Sequence, residues 1–176
     1  MIFRETGLPG LLLIELEAIA DNRGTFARIF DSVEWEAHGM PARVAQRSLS
    51  RNTRRGTLRG MHYQIAPHEE TKLVRCARGA IYDVAVDLRP GSSTYCRWFA
   101  TELSETNDLM LFIPEGFAHG FLTLVEATEV EYQMSVPYSP DHAQAVRWDD
   151  PAFGITWPEA PAVIADRDRL LPDFNP

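Results

Sequence analysis

Short segments with the composition of β-strands recur about every ten to twelve residues along the second half of the chain, and this spacing restricts the fold most. The segments are rich in β-branched and aromatic residues, and Gly, Pro, Asn or Asp separates each from the next. They read KLVRCARGAIYDVAVDLRP, RWFATELS, DLMLFIPEG, HGFLTLVE and TEVEYQMS. Regular repetition of short strands and turns is typical of an all-β sandwich or barrel.

The segment AIYDVAVDL shows the alternation expected of one such strand. Every second residue from Ile81 to Asp87 lies on one face, and every second residue from Tyr82 to Leu88 lies on the other. This period of two predicts a half-buried strand, with one packed face and one face that meets solvent or a cavity.

A single helix is predicted, over the segment DSVEWEAHGM. Ser32 is the expected cap of its first turn, Trp35 supplies apolar surface, and Gly39 ends it. Because the helix is short, we expect it to cover part of the β-structure rather than to form a layer of its own.

The chain has 176 residues, of which 45% are hydrophobic and 24% are charged. These values are ordinary for a globular protein with one hydrophobic core. No Gly/Ser-rich linker or internal repeat divides the sequence, and the composition changes only at a Pro-rich tail near Trp157. We therefore expect one domain spanning residues 1–176, with an extended C-terminal segment lying over it.

The formal net charge of -8 argues against nucleic-acid binding, which requires a surplus of Lys and Arg along one face. No apolar run reaches the roughly 18 residues that a membrane helix needs, so no membrane partner is expected. The opening residues lack the basic start and the cleavage site of an export signal, so the expected location is the cytoplasm.

The densest polar cluster is RNTRRGTLRGMHYQ, in which four arginines lead into Gly60 and His62. In an acidic protein this cluster is a candidate phosphate pocket, although arginines in a solvated loop give the same pattern. If residues 57–64 form a strand, Arg59 and His62 point to opposite faces unless the strand is irregular between them. A glycine is common at such irregularities, so the sequence predicts a bulge at Gly60.

A second cluster, IPEGFAHGF, spaces Pro114, Gly116 and His119 as in the second motif of cupin jelly rolls. A metal-binding cupin needs further His and Glu ligands in its first motif, but GMHYQ offers only His62. We therefore predict no metal and no cofactor. Hydrolase elbows, P-loops and dinucleotide fingerprints are also absent from the sequence, so the histidines and tyrosines are best suited to proton transfer.

At these residues the sequence resembles the dTDP-4-dehydrorhamnose 3,5-epimerase family. The resemblance runs through DNRGTF, GTLRGMHYQ, KLVRCARGAIYDVAVDLRPGSSTY, IPEGFAHGF, EYQMSVPYSP, RWDDPAFGITWP and ADRDRLLP. It implies a metal-free, cupin-type antiparallel jelly roll that acts on a nucleotide-linked 4-keto-6-deoxyhexose. It further implies a homodimer, in which an N-terminal strand of each subunit contributes to the neighbouring site.

The resemblance also implies a role for each matching residue. His62 falls on the general base, Asp168 on the carboxylate paired with it, and Tyr132 on the general acid of the opposite face. Arg23 matches a residue that reaches into the neighbouring subunit's site. The other expected substrate contacts are Phe26, Arg28, Gln46, Ser48, Arg59, Lys72, His119, Tyr138 and Arg167.

The chain departs from the family's pattern at the nucleoside end of the expected site. The family usually carries Glu where this chain has Arg28 and Ala143, and Gln-x-Asn where it has Gln46-Arg47-Ser48. One hypothesis is that the reaction class is kept while the base or the sugar differs, with Arg28 and Arg47 as new nucleotide contacts. The alternatives to a double epimerase are a mono-epimerase or ketoisomerase, a non-catalytic nucleotide-sugar-binding cupin, and a metal-dependent cupin oxygenase.

Overall fold

The computed structural model describes residues 1–175 as two antiparallel β-sheets that face each other, with a hairpin and two short helices outside them. The predicted all-β jelly-roll architecture is confirmed. The elements, numbered along the chain, are β1 (Ile2–Glu5), β2 (Leu12–Glu15), β3 (Ile19–Asp21), β4 (Gly24–Phe26), α1 (Ser32–Ala37), β5 (Gln46–Asn52), β6 (Thr57–Gln64), β7 (Lys72–Arg78), β8 (Ala80–Asp87), β9 (Trp98–Ser104), β10 (Leu109–Ile113), β11 (Phe117–Thr123), β12 (Thr128–Met134), β13 (Ala143–Ala145), β14 (Val163–Ile164) and α2 (Asp166–Arg169).

Strands distant in sequence are neighbours in both sheets. The first sheet has the order β1-β2-β10-β7-β12-β5, and the second has the order β13-β6-β11-β8-β9, with β14 running parallel beside β6. The strands β3 and β4 pair only with each other. Each sheet therefore joins the first and second halves of the chain, and residues far apart in sequence share the space between the sheets.

Apolar side chains from both sheets fill one end of the space between them. Val74, Leu111 and Val130 of the first sheet pack with Ile81 and Phe121 of the second, and each is at most 1% exposed. Burial of apolar surface stabilises by roughly 25 cal/mol per Å², so this cluster fixes how the sheets face each other.

The strand β8 is covered on both faces, which differs from the half-exposed strand that its alternation suggests. Ile81 and Ala85 lie in the core between the sheets, whereas Val84 and Val86 pack under the C-terminal segment, including Phe153. The predicted C-terminal covering segment is thus present, and it buries the face that would otherwise meet solvent.

The predicted helix is present as α1, but Asp31 caps it rather than Ser32. The Asp31 carboxylate accepts hydrogen bonds from the backbone N–H groups of Val33 and Glu34, which lack partners within the helix. Gly39 follows the helix with φ +74°, as expected for a residue that ends one. Within residues 1–175, no helix combines the length and the apolar character needed to cross a bilayer.

The predicted bulge at Gly60 is confirmed by the register of β6 against β11. Arg59 pairs with Phe121 and His62 pairs with His119, so two residues of β6 lie opposite the single Gly120. The extra residue reverses the alternation, and the side chains of Arg59 and His62 reach the same cavity.

The chain returns to β6 near its C-terminus. Val163 and Ile164 of β14 pair with Thr57 and Leu58, and the single helical turn α2 follows directly. The sequence gives no apolar periodicity for α2, so this helix was not predicted. Its position beside β6 brings Asp168 to His62.

We expect Gly60→Ala to destabilise the fold by roughly 2–4 kcal/mol, because two penalties combine at this position. A Cβ there would lie 2.5 Å from the Gly120 Cα, and Gly60 has φ +140°. Gly24→Ala is the matched control, since Gly24 has φ +127° but open space around it. Equal losses of unfolding free energy in urea for both variants would show that the contact with Gly120 does not matter.

Candidate active site

A cavity of about 630 Å³ lies between the two sheets, at the end that the apolar cluster leaves open. It collects residues from strands of both sheets and from the C-terminal segment. All three predicted catalytic residues and seven of the ten predicted binding residues line it: His62, Tyr132, Asp168, Gln46, Ser48, Arg59, Lys72, His119, Tyr138 and Arg167.

His62 and Asp168 form a hydrogen-bonded pair on one wall. The His62 Nε2 lies 2.9 Å from Asp168 Oδ1; the imidazole side chain is 39% exposed and the carboxylate only 5%. A buried carboxylate at this distance orients the imidazole, so His62 is placed to accept a proton from a molecule in the cavity.

The environment of Asp168 keeps it ionised. Burial alone raises the pKa of a carboxyl group, but the hydrogen bond from His62, the positive charge of Arg167 and the Gly60 N–H outweigh it. The pKa of Asp168 therefore lies below its ordinary value.

A second histidine–carboxylate pair lies deeper in the cavity. The His119 Nε2 is 2.7 Å from Asp83 Oδ1, and both side chains are at most 5% exposed. The other carboxylate oxygen of Asp83 is buried without a hydrogen-bond partner among the described residues. His119 is therefore held rigidly, with one ring edge committed to Asp83.

Tyr132 lies across the cavity, on β12 of the opposite sheet. Its ring meets that of His119 edge to face, with centroids 6.0 Å apart. Burial and the negative charge of Asp83 raise the pKa of Tyr132 above its ordinary value, against a smaller effect of Arg59. The phenol consequently remains a proton donor throughout the neutral range.

Two cations of the cavity are held by neighbouring polar groups. Lys72 forms an ion pair with Glu70 at 3.0 Å and donates to the backbone carbonyl of His62. The Arg59 Nε donates to Asn52 Oδ1 at 2.8 Å. Both positive charges are thus fixed before any ligand arrives, as stabilisation of a developing negative charge requires.

Two glutamine amides hold the loop that carries Tyr138 at the mouth of the cavity. The backbone N–H of Tyr138 donates to Gln46 Oε1 at 3.0 Å, and that of Ser139 donates to Gln64 Oε1 at 2.6 Å. Gln64 lies two residues beyond His62, where a metal-binding cupin has a further ligand. Here its amide binds a loop, and residues 1–175 contain no group of three or more His, Cys, Asp or Glu arranged to hold a metal ion.

Three predicted binding residues lie outside the cavity of their own chain. Arg23 and Phe26 belong to the β3–β4 hairpin, and their side chains are 85% and 73% exposed respectively. Arg28 is also exposed and pairs with Asp31 at 3.1 Å. Of the two suggested new nucleotide contacts, neither Arg28 nor Arg47 lines the cavity.

Four partners of the site were not predicted from the sequence: Asp83, Asn52, Gln64 and Glu70. A signal for Asp83 was present, because it interrupts the apolar stretch from Ile81 to Val86, and a charged residue there requires a buried partner. The contacts of Asn52, Gln64 and Glu70 depend on how neighbouring strands pair, and no local sequence pattern predicts them.

Comparison with known proteins identifies relatives along nearly the whole chain. The family model described as dTDP-4-dehydrorhamnose 3,5-epimerase matches residues 5–176. The protein of that name from Sinorhizobium fredii is 40% identical over 175 residues, covering 99% of this chain and 90% of the relative.

Solved structures show the same similarity in three dimensions. The dTDP-4-dehydrorhamnose 3,5-epimerase of Bacillus anthracis, solved with TDP and pyrophosphate, has a TM-score of 0.94 and 39% identity, covering 98% of this chain and 99% of that one. A 3'-monoepimerase from Streptomyces bikiniensis, solved with dTDP-quinovose, has a TM-score of 0.88 and 31% identity, covering 95% and 85%.

We expect the substitution Tyr132→Phe to leave the tyrosinate absorbance that develops between about pH 9 and 11 unchanged, because Tyr132 stays protonated there. The measurement is an ultraviolet titration of the folded protein, with circular dichroism to confirm folding. In guanidinium chloride, where the chain is unfolded, the same substitution should remove the amplitude of one tyrosine. Loss of that amplitude in the folded protein as well would contradict the raised pKa.

Proposed function

The chain belongs to the dTDP-4-dehydrorhamnose 3,5-epimerase family, and from this premise we propose how its cavity residues carry out the reaction. The enzyme is an isomerase that epimerises C3, C5 or both of a nucleotide-linked 4-keto-6-deoxyhexose. We propose a dTDP-linked sugar as its substrate, which is supported by the TDP and dTDP-quinovose named for two of its structural neighbours.

Proton removal is the first step, and we propose His62 as the base. The ketone at C4 makes the hydrogens on C3 and C5 acidic, since the charge left on carbon moves onto the carbonyl oxygen. His62 takes the proton, and ionised Asp168 at 2.9 Å stabilises the resulting imidazolium. Lys72 and Arg59, whose charges are already fixed, stabilise the enolate oxygen.

Inversion requires the proton to return from the other face of the sugar ring. Tyr132 fits this role because it lies on the opposite sheet and its raised pKa keeps it protonated. This placement of a histidine–carboxylate base and a protonated phenol on facing sheets is the observation that carries the proposal. A protein that only binds the sugar has no need of such a pair.

Exchange of substrate hydrogens with deuterated water tests the two roles separately. We expect His62→Ala to abolish loss of the C3 and C5 proton signals of dTDP-4-keto-6-deoxyglucose, because no base remains to remove them. Tyr132→Phe should retain exchange and lose inversion, because the base is intact and the donor is absent. The measurement is proton NMR with purified protein.

The outcomes of this experiment distinguish the alternatives. Exchange at both carbons in the unsubstituted protein indicates a double epimerase, and exchange at one indicates a mono-epimerase. Equal exchange by the unsubstituted protein and by His62→Ala removes His62 as base. No exchange with the dTDP sugar, followed by exchange with the CDP, GDP or UDP sugar, replaces dTDP as the substrate nucleotide.

We also propose that the enzyme is a homodimer in which the β3–β4 hairpin, with Arg23, completes the neighbouring site. The hairpin pairs with neither sheet, and it carries Ile19 and Phe26 at 71% and 73% exposure. Two large apolar side chains so exposed are expected to be covered by another surface. The cytoplasmic location expected from the sequence stays a prediction.

Mixing two inactive variants tests this shared site. If Arg23 acts in the neighbouring subunit, a mixed dimer of Arg23→Ala and His62→Ala contains one site with both residues intact. Random mixing should then restore roughly a quarter of full activity, because half the dimers carry one complete site. Sedimentation measures the dimer and NMR the exchange. Failure of refolded mixtures to gain activity over the separate variants would place Arg23 outside the partner's site.

A further inference from the structure

Asp168 lies in a segment that backbone pairing attaches to the barrel only on the N-terminal side of α2. The strand β14 joins β6 immediately upstream of α2, through Val163 and Ile164. Downstream, residues 170–175 belong to no strand. The position of α2 along β6 therefore depends on side chains that hold the segment after it.

Arg147 holds this segment at its beginning. One guanidinium nitrogen, Nη1, donates to the backbone carbonyl of Leu171 at 3.2 Å and lies 2.6 Å from the carboxylate of Asp173. Its Nε binds Asp149 at 2.6 Å, which fixes the side chain in this direction. Leu171 itself lines the cavity, whereas Arg147 does not.

Asp150 holds the segment three residues further on. Its carboxylate is buried, with the residue 1% exposed, and its Oδ2 accepts a hydrogen bond from the backbone N–H of Phe174 at 2.6 Å. The ring of Phe174 packs on that of Phe153, with centroids 5.1 Å apart. A buried carboxylate is costly unless it is paired, so this contact ties the tail firmly to the barrel.

We propose that Arg147 and Asp150, here named the tail clamp, are positioning residues that set the His62–Asp168 distance. The inference rests on the proposed role of His62 and Asp168 in proton removal. Neither residue of the tail clamp lines the cavity, so any effect on turnover passes through the segment that they hold. A displacement of a catalytic group by about 1 Å is enough to cost on the order of 100-fold in rate.

The substitution Arg147→Ala should lower kcat for C3 and C5 exchange roughly 10- to 100-fold, with little change in KM. The decisive measurement introduces Arg147→Ala into protein that already carries Asp168→Asn. If Arg147 acts through Asp168, the second substitution should change kcat by less than about twofold there, because the group that it positions has already lost its charge. Arg147→Lys, which keeps a cation near Asp173, should recover part of the loss.

Arg55→Ala is the matched control, because Arg55 does not line the cavity although it belongs to the arginine cluster of the sequence. Arg55 forms a bidentate ion pair with Glu159. This pair also attaches the C-terminal segment to the barrel, but upstream of β14. Because the pairing of β14 with β6 separates this contact from α2, kcat should stay within about twofold of the unsubstituted protein. An equal loss in Arg55→Ala would overturn the proposal, since any attachment of the tail would then have the same effect.

Other results of these measurements also test the role of the tail clamp. Equal losses of kcat from Arg147→Ala in both backgrounds, or a rise in KM alone, would show that Arg147 does not act through Asp168. If Arg147→Ala does not fold, Phe174→Ala replaces it. This substitution removes the contact of the same segment with Phe153, and it is measured with and without Asp168→Asn. Full turnover by Asp168→Asn refutes the proposed pair, whereas a defective Asp168→Asn beside a fully active Arg147→Ala refutes only the tail clamp.

Discussion

The close approach of two backbones, at Gly60 of β6 and Gly120 of β11, is the constraint on which the site depends. A Cβ atom at Gly60 would lie 2.5 Å from the Gly120 Cα, so the two strands can approach this closely only because both residues are glycine. The bulge at Gly60 turns Arg59 and His62 toward one cavity. A fault in packing at this point would therefore displace Arg59 and His62 together, and with His62 its contact to Asp168.

The protein as a whole carries net charge -8, but nitrogen-bearing side chains of the cavity are held by acids or amides. Lys72 has Glu70, His62 has Asp168 and His119 has Asp83. Such a partner reduces the attraction of each side chain for a ligand, yet it fixes the direction of its hydrogen bonds before the substrate binds. A reaction in which charge moves from carbon to oxygen gains from fixed dipoles and charges, because no reorganisation is needed as the charge develops.

Much of this arrangement could be predicted from sequence, because it is local. The strand spacing indicated the all-β class, and the three-residue separation of Arg59 and His62 predicted the bulge. Spacing alone did not assign Asp168, which lies 106 residues from His62 in a one-turn helix without apolar periodicity. Asp31 rather than Ser32 caps α1 because two backbone N–H groups reach its carboxylate, and that choice depends on backbone geometry.

The residues of the site lie either on strands that the packed core holds in place or on segments outside that core. His62 and Tyr132 lie on β6 and β12, whose separation is set by the apolar cluster between the sheets, including Phe121 and Val130. A tightly packed core resists small displacements, so the proposed base and acid face each other across the cavity at a fixed separation. Predicted substrate contacts outside this core lie on the β3–β4 hairpin and on the loop that carries Tyr138. Substrate choice can therefore change at these elements while the positions of the proposed base and acid across the cavity are kept.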